Sequence, residues 1–138
     1  MSLALALMAL GLVVHSGSAA AADQRPELRG VTSIRVANYG SPSTVIKDRA
    51  QVDAIVGELR TLRGKAWRRG DIPMTCYATV VLFGGTRTVA LFRVKPDIIV
   101  ERPQGHEKSS YSLEVAEAGW PKINTMLMGI APAKNCTN

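Results

Sequence analysis

Two runs rich in β-branched and aromatic residues flank Gly84-Gly85 and constrain the fold more than any other feature of this 138-residue chain. Two glycines between such runs are typical of a tight hairpin turn, so residues 74–83 and 86–94 are predicted to pair as antiparallel strands. A turn at 95–97 leads into a predicted third strand at 98–102, and residues 111–115 are the candidate fourth strand. The sequence therefore predicts an antiparallel meander of three to four strands.

Alternation along the first of these strands distinguishes the two faces of the sheet. Successive side chains of a strand point to opposite faces, so every second residue shares a face. One face is small or aliphatic and is predicted to face the core: Cys76, Ala78, Val80 and Leu82. The other face is mixed, which indicates that part of it is covered as well: Thr75, Tyr77, Thr79, Val81 and Phe83.

An amphipathic helix is the clearest element before the meander. Asp48 is predicted to cap its N-terminus, with Gln51 three residues later in a capping-box-like arrangement. Gly64 and Gly70 lie on either side of the predicted exit from the helix. Apolar residues recur at helical spacing and form one stripe along it: Val52, Ile55, Val56, Leu59 and Leu62.

Shorter elements are predicted on both sides of this central part. Residues 31–37 are predicted to form an N-terminal strand, with 44–46 as a candidate return strand. Pro121 fits the first turn of a short C-terminal helix near Trp120, with an apolar side made of Ile123, Met126, Leu127 and Ile130. The predicted fold is one α+β domain over residues 23–138, in which a small antiparallel sheet has both helices on one face.

The first 22 residues predict export. An uncharged, Leu- and Ala-rich stretch at residues 3–14 precedes small residues at 16–22, as in a signal peptide that is cleaved after an Ala-x-Ala type of site. The apolar stretch is shorter than the roughly 20 residues of a transmembrane helix. We therefore predict a secreted or periplasmic protein that begins near Asp23 and has no transmembrane segment after cleavage. Because no Lys or Arg precedes the apolar stretch, a translation start at a different position is the alternative interpretation.

Cys76 and Cys136 are the two cysteines of the chain, and both follow the predicted signal peptide. In an oxidising compartment an even cysteine count predicts a disulfide bond. Closing a loop of about 60 residues would stabilise the fold by roughly 4 kcal/mol in the chain-entropy model. Since there is no C-x-x-C pair and only one histidine follows the signal peptide, neither a redox pair nor a metal site is predicted.

The chain carries 17 Lys and Arg against 11 Asp and Glu, and all of them follow the predicted signal peptide. The resulting charge of +6 attracts anionic partners over long distances. For an exported protein these are envelope polymers, lipid head groups and acidic proteins, and nucleic acid is not expected. The alternative is that the charge only keeps a monomeric domain soluble.

Five residues at and after the end of the predicted helix are the candidate binding site: Arg63, Lys65, Trp67, Arg68 and Arg69. Guanidinium groups bind phosphate and carboxylate groups through paired hydrogen bonds, and an exposed tryptophan is a frequent binding anchor. A structural interpretation competes with this one. Cations at the C-terminus of a helix are favoured by the helix dipole, and Trp67 can fold back over the helix stripe.

The sequence contains no catalytic signature. A serine hydrolase needs a base and an orienting carboxylate, and the motif G-x-S-x-G is absent. The enzymatic alternative is a hydrolase or lyase whose site forms around His106, Glu101 and Tyr111 only in the folded chain. Otherwise His106 is expected in an exposed polar loop, and Glu101 and Glu114 are expected at a solvated edge of the meander.

The sequence thus predicts a small, exported, non-catalytic binding protein without a cofactor. Its predicted partner is an anionic envelope component or an extracellular protein, which it would bind in the manner of an inhibitor. Two alternatives stay open. One is the hydrolase or lyase, and the other is a structural envelope component that self-associates through the mixed sheet face.

Overall fold

The computed structural model describes residues 25–103, 110–114 and 121–130. The elements follow in the order β1 (Ser33–Ala37), β2 (Thr44–Ile46), α1 (Arg49–Arg63), β3 (Arg68–Arg69), β4 (Ala78–Gly84), β5 (Arg87–Val94), β6 (Ile98–Pro103), β7 (Tyr111–Glu114) and α2 (Pro121–Ile130). These seven strands form one antiparallel sheet in the order β2-β1-β4-β5-β6-β7-β3. The α+β class is therefore confirmed, and the sheet has more strands than predicted.

One face of the sheet, here called the core face, contributes to a hydrophobic cluster that also contains residues of both helices. The register places Val36, Val80 and Phe92 side by side on this face across β1, β4 and β5. All five residues of the predicted α1 stripe are buried, and so are Ile123 and Leu127 of α2. The apolar periodicity of the two helices therefore predicted their buried sides correctly.

The central hairpin differs from its prediction at both ends. β4 begins at Ala78 rather than at Met74. At the other end Gly84 still belongs to β4, and the turn lies at Gly85 and Thr86 instead of at the two glycines. Gly85 has a φ of 63°, the left-handed conformation that such a turn needs and that glycine adopts without strain.

Two of the basic residues after α1, Arg68 and Arg69, form an edge strand that was not predicted from the sequence. Arg68 pairs with Ser112, and Arg69 pairs with Tyr111 of β7. β3 therefore ends the sheet on the side opposite β2. A strand of two residues has no alternation of its own, so its sequence carried no signal for it.

The segment 70–77 crosses the second face of the sheet. It must pass over the sheet because β5, β6 and β7 separate β3 from β4. Asp71 in this segment forms ion pairs with Arg93 and Arg102, and the Arg93 guanidinium lies 5.4 Å from the centre of the Tyr77 ring. Val100, the register partner of Arg93, is buried. The second face is therefore partly covered, as its mixed composition predicted.

Cys76 lies in the same segment and has a left-handed backbone with a φ of 56°. No cysteine is free among the residues that the structure describes. Its predicted partner Cys136 lies outside those residues, as do the predicted signal peptide, His106 and Trp120. The disulfide thus stays a prediction.

Candidate functional site

Glu101 is a charged residue in the middle of the core face. Its register neighbours are Phe92 of β5 and Tyr111 of β7, and strand alternation therefore directs its side chain toward the core. The side chain is 0 % exposed. The expectation that Glu101 lies at a solvated edge is wrong, because β6 is an interior strand with a neighbour on each side.

Two arginines neutralise this buried carboxylate. Arg25 Nη1 lies 2.9 Å from Oε2, and the Arg25 side chain is itself only 2 % exposed. Arg63 donates from Nε to Oε2 at 3.1 Å and from Nη2 to Oε1. A lone buried charge would be strongly destabilising, whereas hydrogen bonds from two guanidinium groups offset much of that cost. We call Arg25, Arg63 and Glu101 the buried ion cluster.

Two aromatic rings enclose the guanidinium of Arg25. It lies 4.4 Å from the centre of the Trp67 ring and 4.8 Å from the centre of the Tyr111 ring, within the range of cation–π attraction. Trp67 is half-buried, and its Nε1 donates a hydrogen bond to the carbonyl oxygen of Leu62 at 2.7 Å. This is the inward-folded arrangement that the structural interpretation of Trp67 predicts.

Helix α1 also holds the chain segment that precedes β1. Arg60 and Arg63 donate hydrogen bonds to the carbonyl oxygens of Leu28 and Pro26. Leu28 is buried in the hydrophobic cluster. These hydrogen bonds anchor the segment 25–31 to α1. Arg60 and Arg63 therefore stabilise the fold itself.

Asp71 forms the second set of ion pairs, at the surface. Its Oδ2 lies 2.8 Å from Arg102 Nη2, and its Oδ1 accepts a hydrogen bond from Arg93. Partial burial raises the pKa of Asp71, but the hydrogen bond from Arg102 and the positive charges of Arg93 and Arg102 together hold that pKa below its usual range. The charged carboxylate fastens the crossing segment to the second face.

Lys65, Arg68 and Arg69 differ from the paired Arg25 and Arg63. All three are exposed, and none of them forms an ion pair within residues 25–103, 110–114 and 121–130. Arg68 and Arg69 line a cavity of about 290 Å³ between β3, β7 and the start of the crossing segment, together with Asp71 and Glu114. We call Lys65, Arg68 and Arg69 the edge cations.

The surroundings of Glu101 do not suit a role as a general base. Glu101 and Tyr111, two residues of the enzymatic alternative, do lie together. However, both carboxylate oxygens of Glu101 accept hydrogen bonds from arginine, and the side chain is inaccessible. A general base must reach the proton that it abstracts directly or through one water. His106, the third residue, lies outside the described part of the chain.

Two further observations concern the described residues alone. Within them, no three His, Cys, Asp or Glu side chains are grouped so that they could bind a metal ion. Within the same ranges, no helix combines the length and the apolar character needed to cross a bilayer.

Arg25 and the buried position of Glu101 were missed by the sequence interpretation. The run Ile98-Ile99-Val100 is apolar on both faces of its strand, which is typical of a strand covered on both sides. Extending that pattern by one residue would have placed Glu101 in the core. Arg25 gave no comparable signal, because its ion-pair partner is 76 residues away in the chain.

No protein-family model, no curated protein sequence and no solved structure matches this chain.

Proposed function

We propose that this chain is a small, exported, non-catalytic binding protein that recognises an anionic partner through its edge cations. The partner is an anionic envelope component or an acidic region of an extracellular protein. One contrast carries the proposal. Arg63 and Arg93 are paired with Glu101 and Asp71, whereas Lys65, Arg68 and Arg69 are exposed and have no carboxylate partner among the described residues.

The spacing of the edge cations favours an anionic ligand. Three positive charges within five residues repel one another, and a bound anion relieves this repulsion. Glu114 lines the neighbouring cavity but forms no ion pair with Arg68 or Arg69 in the described part of the chain. The net charge of +6 adds long-range attraction for the same kind of ligand.

Arg63 and Trp67 belonged to the predicted binding cluster but are not part of the proposed surface. Arg63 binds Glu101, and Trp67 stacks on Arg25 and donates to Leu62. Replacing either residue would disturb the buried ion cluster and would therefore test the fold rather than the binding surface.

We also propose that the protein acts outside the cytosol with Cys76 and Cys136 joined by a disulfide. The apolar stretch and small residues before Asp23 support export. A mature chain that starts near Asp23 would keep the buried Arg25. The lack of a free cysteine among the described residues supports the disulfide.

The proposed arrangement of the helices places both of them over the core face. Residues of α1 and α2 share one hydrophobic cluster with residues of that face, which supports this arrangement. The edge cations then lie where the chain leaves α1 and reaches the sheet edge.

Two double variants of equal charge test the role of the edge cations. R68A/R69A removes two edge cations, and K47A/R87A removes two exposed cations at other places in the fold. Charges near an anionic surface contribute about 1 kcal/mol each. R68A/R69A should therefore weaken binding to immobilised polyglutamate or to anionic vesicles by roughly 10- to 30-fold in surface plasmon resonance.

The control K47A/R87A should bind nearly as well as the unmodified protein, and both variants should keep its circular dichroism spectrum. Binding should also weaken as salt is added, because exposed charges are screened over about 8–10 Å. An equal loss of affinity in both variants would show that binding depends on net charge alone. Unchanged binding by R68A/R69A would refute the proposed surface.

A further inference from the structure

β3 is the last strand of the sheet within residues 25–103, 110–114 and 121–130, which the structure describes. In that part of the chain it has a neighbour, β7, on one side only. Gly70 donates its N–H to the carbonyl oxygen of Ser110 at 2.8 Å, which places this pair at a hydrogen-bonded position of the antiparallel ladder. Such positions alternate with positions whose backbone groups point away from the partner strand. The N–H and C=O of Arg69 are therefore directed toward the open edge.

The charges at this edge specify what can pair with it. Arg68 and Arg69 are consecutive residues of a strand, so their side chains lie on opposite faces. A strand added beside β3 would place two consecutive residues next to them, one on each face. Two adjacent acidic residues would match both arginines, whereas a second copy of β3 would place arginine next to arginine. Charged edge strands commonly prevent unspecific pairing in this way.

We propose that β3 accepts an extended acidic segment of an extracellular protein, which pairs with the backbone of Arg69 as an additional strand. The inference rests on the proposed function and adds the class of partner and the mode of binding. A polypeptide fits better than an anionic polymer or a lipid head group, because it supplies both an acceptor for the Arg69 N–H and a donor for the Arg69 C=O. Its two acidic side chains then lie beside the two arginines.

The test uses a capped, fluorescently labelled hexapeptide with two central glutamates flanked by valine and threonine. Two further peptides carry a backbone N-methyl group on either the first or the second glutamate. In a paired strand, the N–H groups of consecutive residues point to opposite sides. One N-methyl peptide should therefore lose at least about tenfold in affinity, while the other should bind like the parent peptide. Fluorescence anisotropy with the full exported protein measures all three affinities.

A fourth peptide, with glutamines in place of the two glutamates, should bind weakly, and R68A/R69A should bind all four peptides weakly. Equal binding of both N-methyl peptides and the parent would show attraction by charge alone, and would refute strand addition while keeping the proposed function. Binding of polyphosphate or anionic vesicles without binding of the parent peptide would also refute strand addition and would favour a polymer or a membrane. If none of these anionic probes binds, the proposed function itself is wrong.

Discussion

Glu101 is the buried counter-charge of two arginines near the candidate site. Its carboxylate is fully buried and engages Arg25 and Arg63. Because both arginines bind Glu101, they contribute to the fold, and the proposed ligand surface consists of the exposed cations on β3 and in the segment before it.

Replacing Glu101 with glutamine tests this role. Glu101→Gln removes one charge with little change in volume and leaves the buried Arg25 without a counter-charge. Removing one partner of a buried ion pair costs about 3–5 kcal/mol. We expect the free energy of unfolding in urea to fall by about that amount. Asp53→Asn is the matched control, because Asp53 pairs with Arg49 at the surface, and it should cost no more than about 0.5 kcal/mol. Equal costs for the two variants would contradict the structural role of Glu101.

Asp71 makes stability depend on pH in the acidic range. Its pKa in the folded protein is below the usual value, because the lowering by Arg102 and Arg93 outweighs the rise caused by partial burial. At pH values between the folded-state and the unfolded-state pKa of Asp71, the unfolded chain therefore binds more protons than the folded protein. The stabilisation is fully present above the unfolded pKa of about 3.9 and is lost as the pH falls through the folded-state value.

Asp71→Asn should remove this part of the pH dependence. Its side chain is 40 % exposed, so the loss at neutral pH should stay below about 1 kcal/mol. Urea unfolding at neutral pH and at about pH 3 should show a smaller acid-induced decrease in the variant than in the unmodified protein. Asp97→Asn, in the exposed turn between β5 and β6, controls for the loss of one negative charge. An identical decrease in Asp71→Asn and the unmodified protein would contradict the ion-pair role.

Gly57 and Gly84 both lie in regular elements, but an added Cβ fits without a clash at Gly57 only. Gly57 lies inside α1, and an added Cβ would meet nothing within 4 Å. Gly84 ends β4, and an added Cβ would lie 2.9 Å from the carbonyl oxygen of Gly30. Gly57→Ala should therefore raise the free energy of unfolding by roughly 0.5–1 kcal/mol, because alanine favours the helix. Gly84→Ala should lower it, since a backbone atom must move. Thermal unfolding of both variants checks this, and a stabilised Gly84→Ala would show that the close approach is absent.

The elements differ in how far their sequences could predict them. α1 was predictable because its cap and stripe are local: Asp48 accepts a hydrogen bond from the Gln51 N–H, and the apolar spacing is helical. β3 was not predictable, because Arg68 and Arg69 become a strand only through pairing with β7. The candidate site was likewise predictable from the sequence only in part. Its basic residues stood out in the sequence, but the distinction between paired and exposed cations depends on Glu101, whose burial comes from long-range strand order.

The proposed export and the proposed disulfide concern the whole molecule. The N-terminal sequence of the exported protein should begin near Asp23, just before the anchored Arg25. Its mass without reductant should be lower by two hydrogens than that of the reduced chain, as expected for one disulfide between Cys76 and Cys136. An intact Met1 in the exported fraction would contradict cleavage, and labelling of both thiols in the folded protein would contradict the disulfide.

One NMR titration tests the proposed division of the cations into a structural set and a binding set. Polyglutamate is added to the isotope-labelled exported protein, and the amide shifts are followed residue by residue. The largest changes are predicted at Lys65, Arg68 and Arg69. Largest changes at Lys47 and Arg87 would contradict this division, and so would largest changes at Ala54 and Met126, which line a groove between α1 and α2. The absence of any change would contradict it as well.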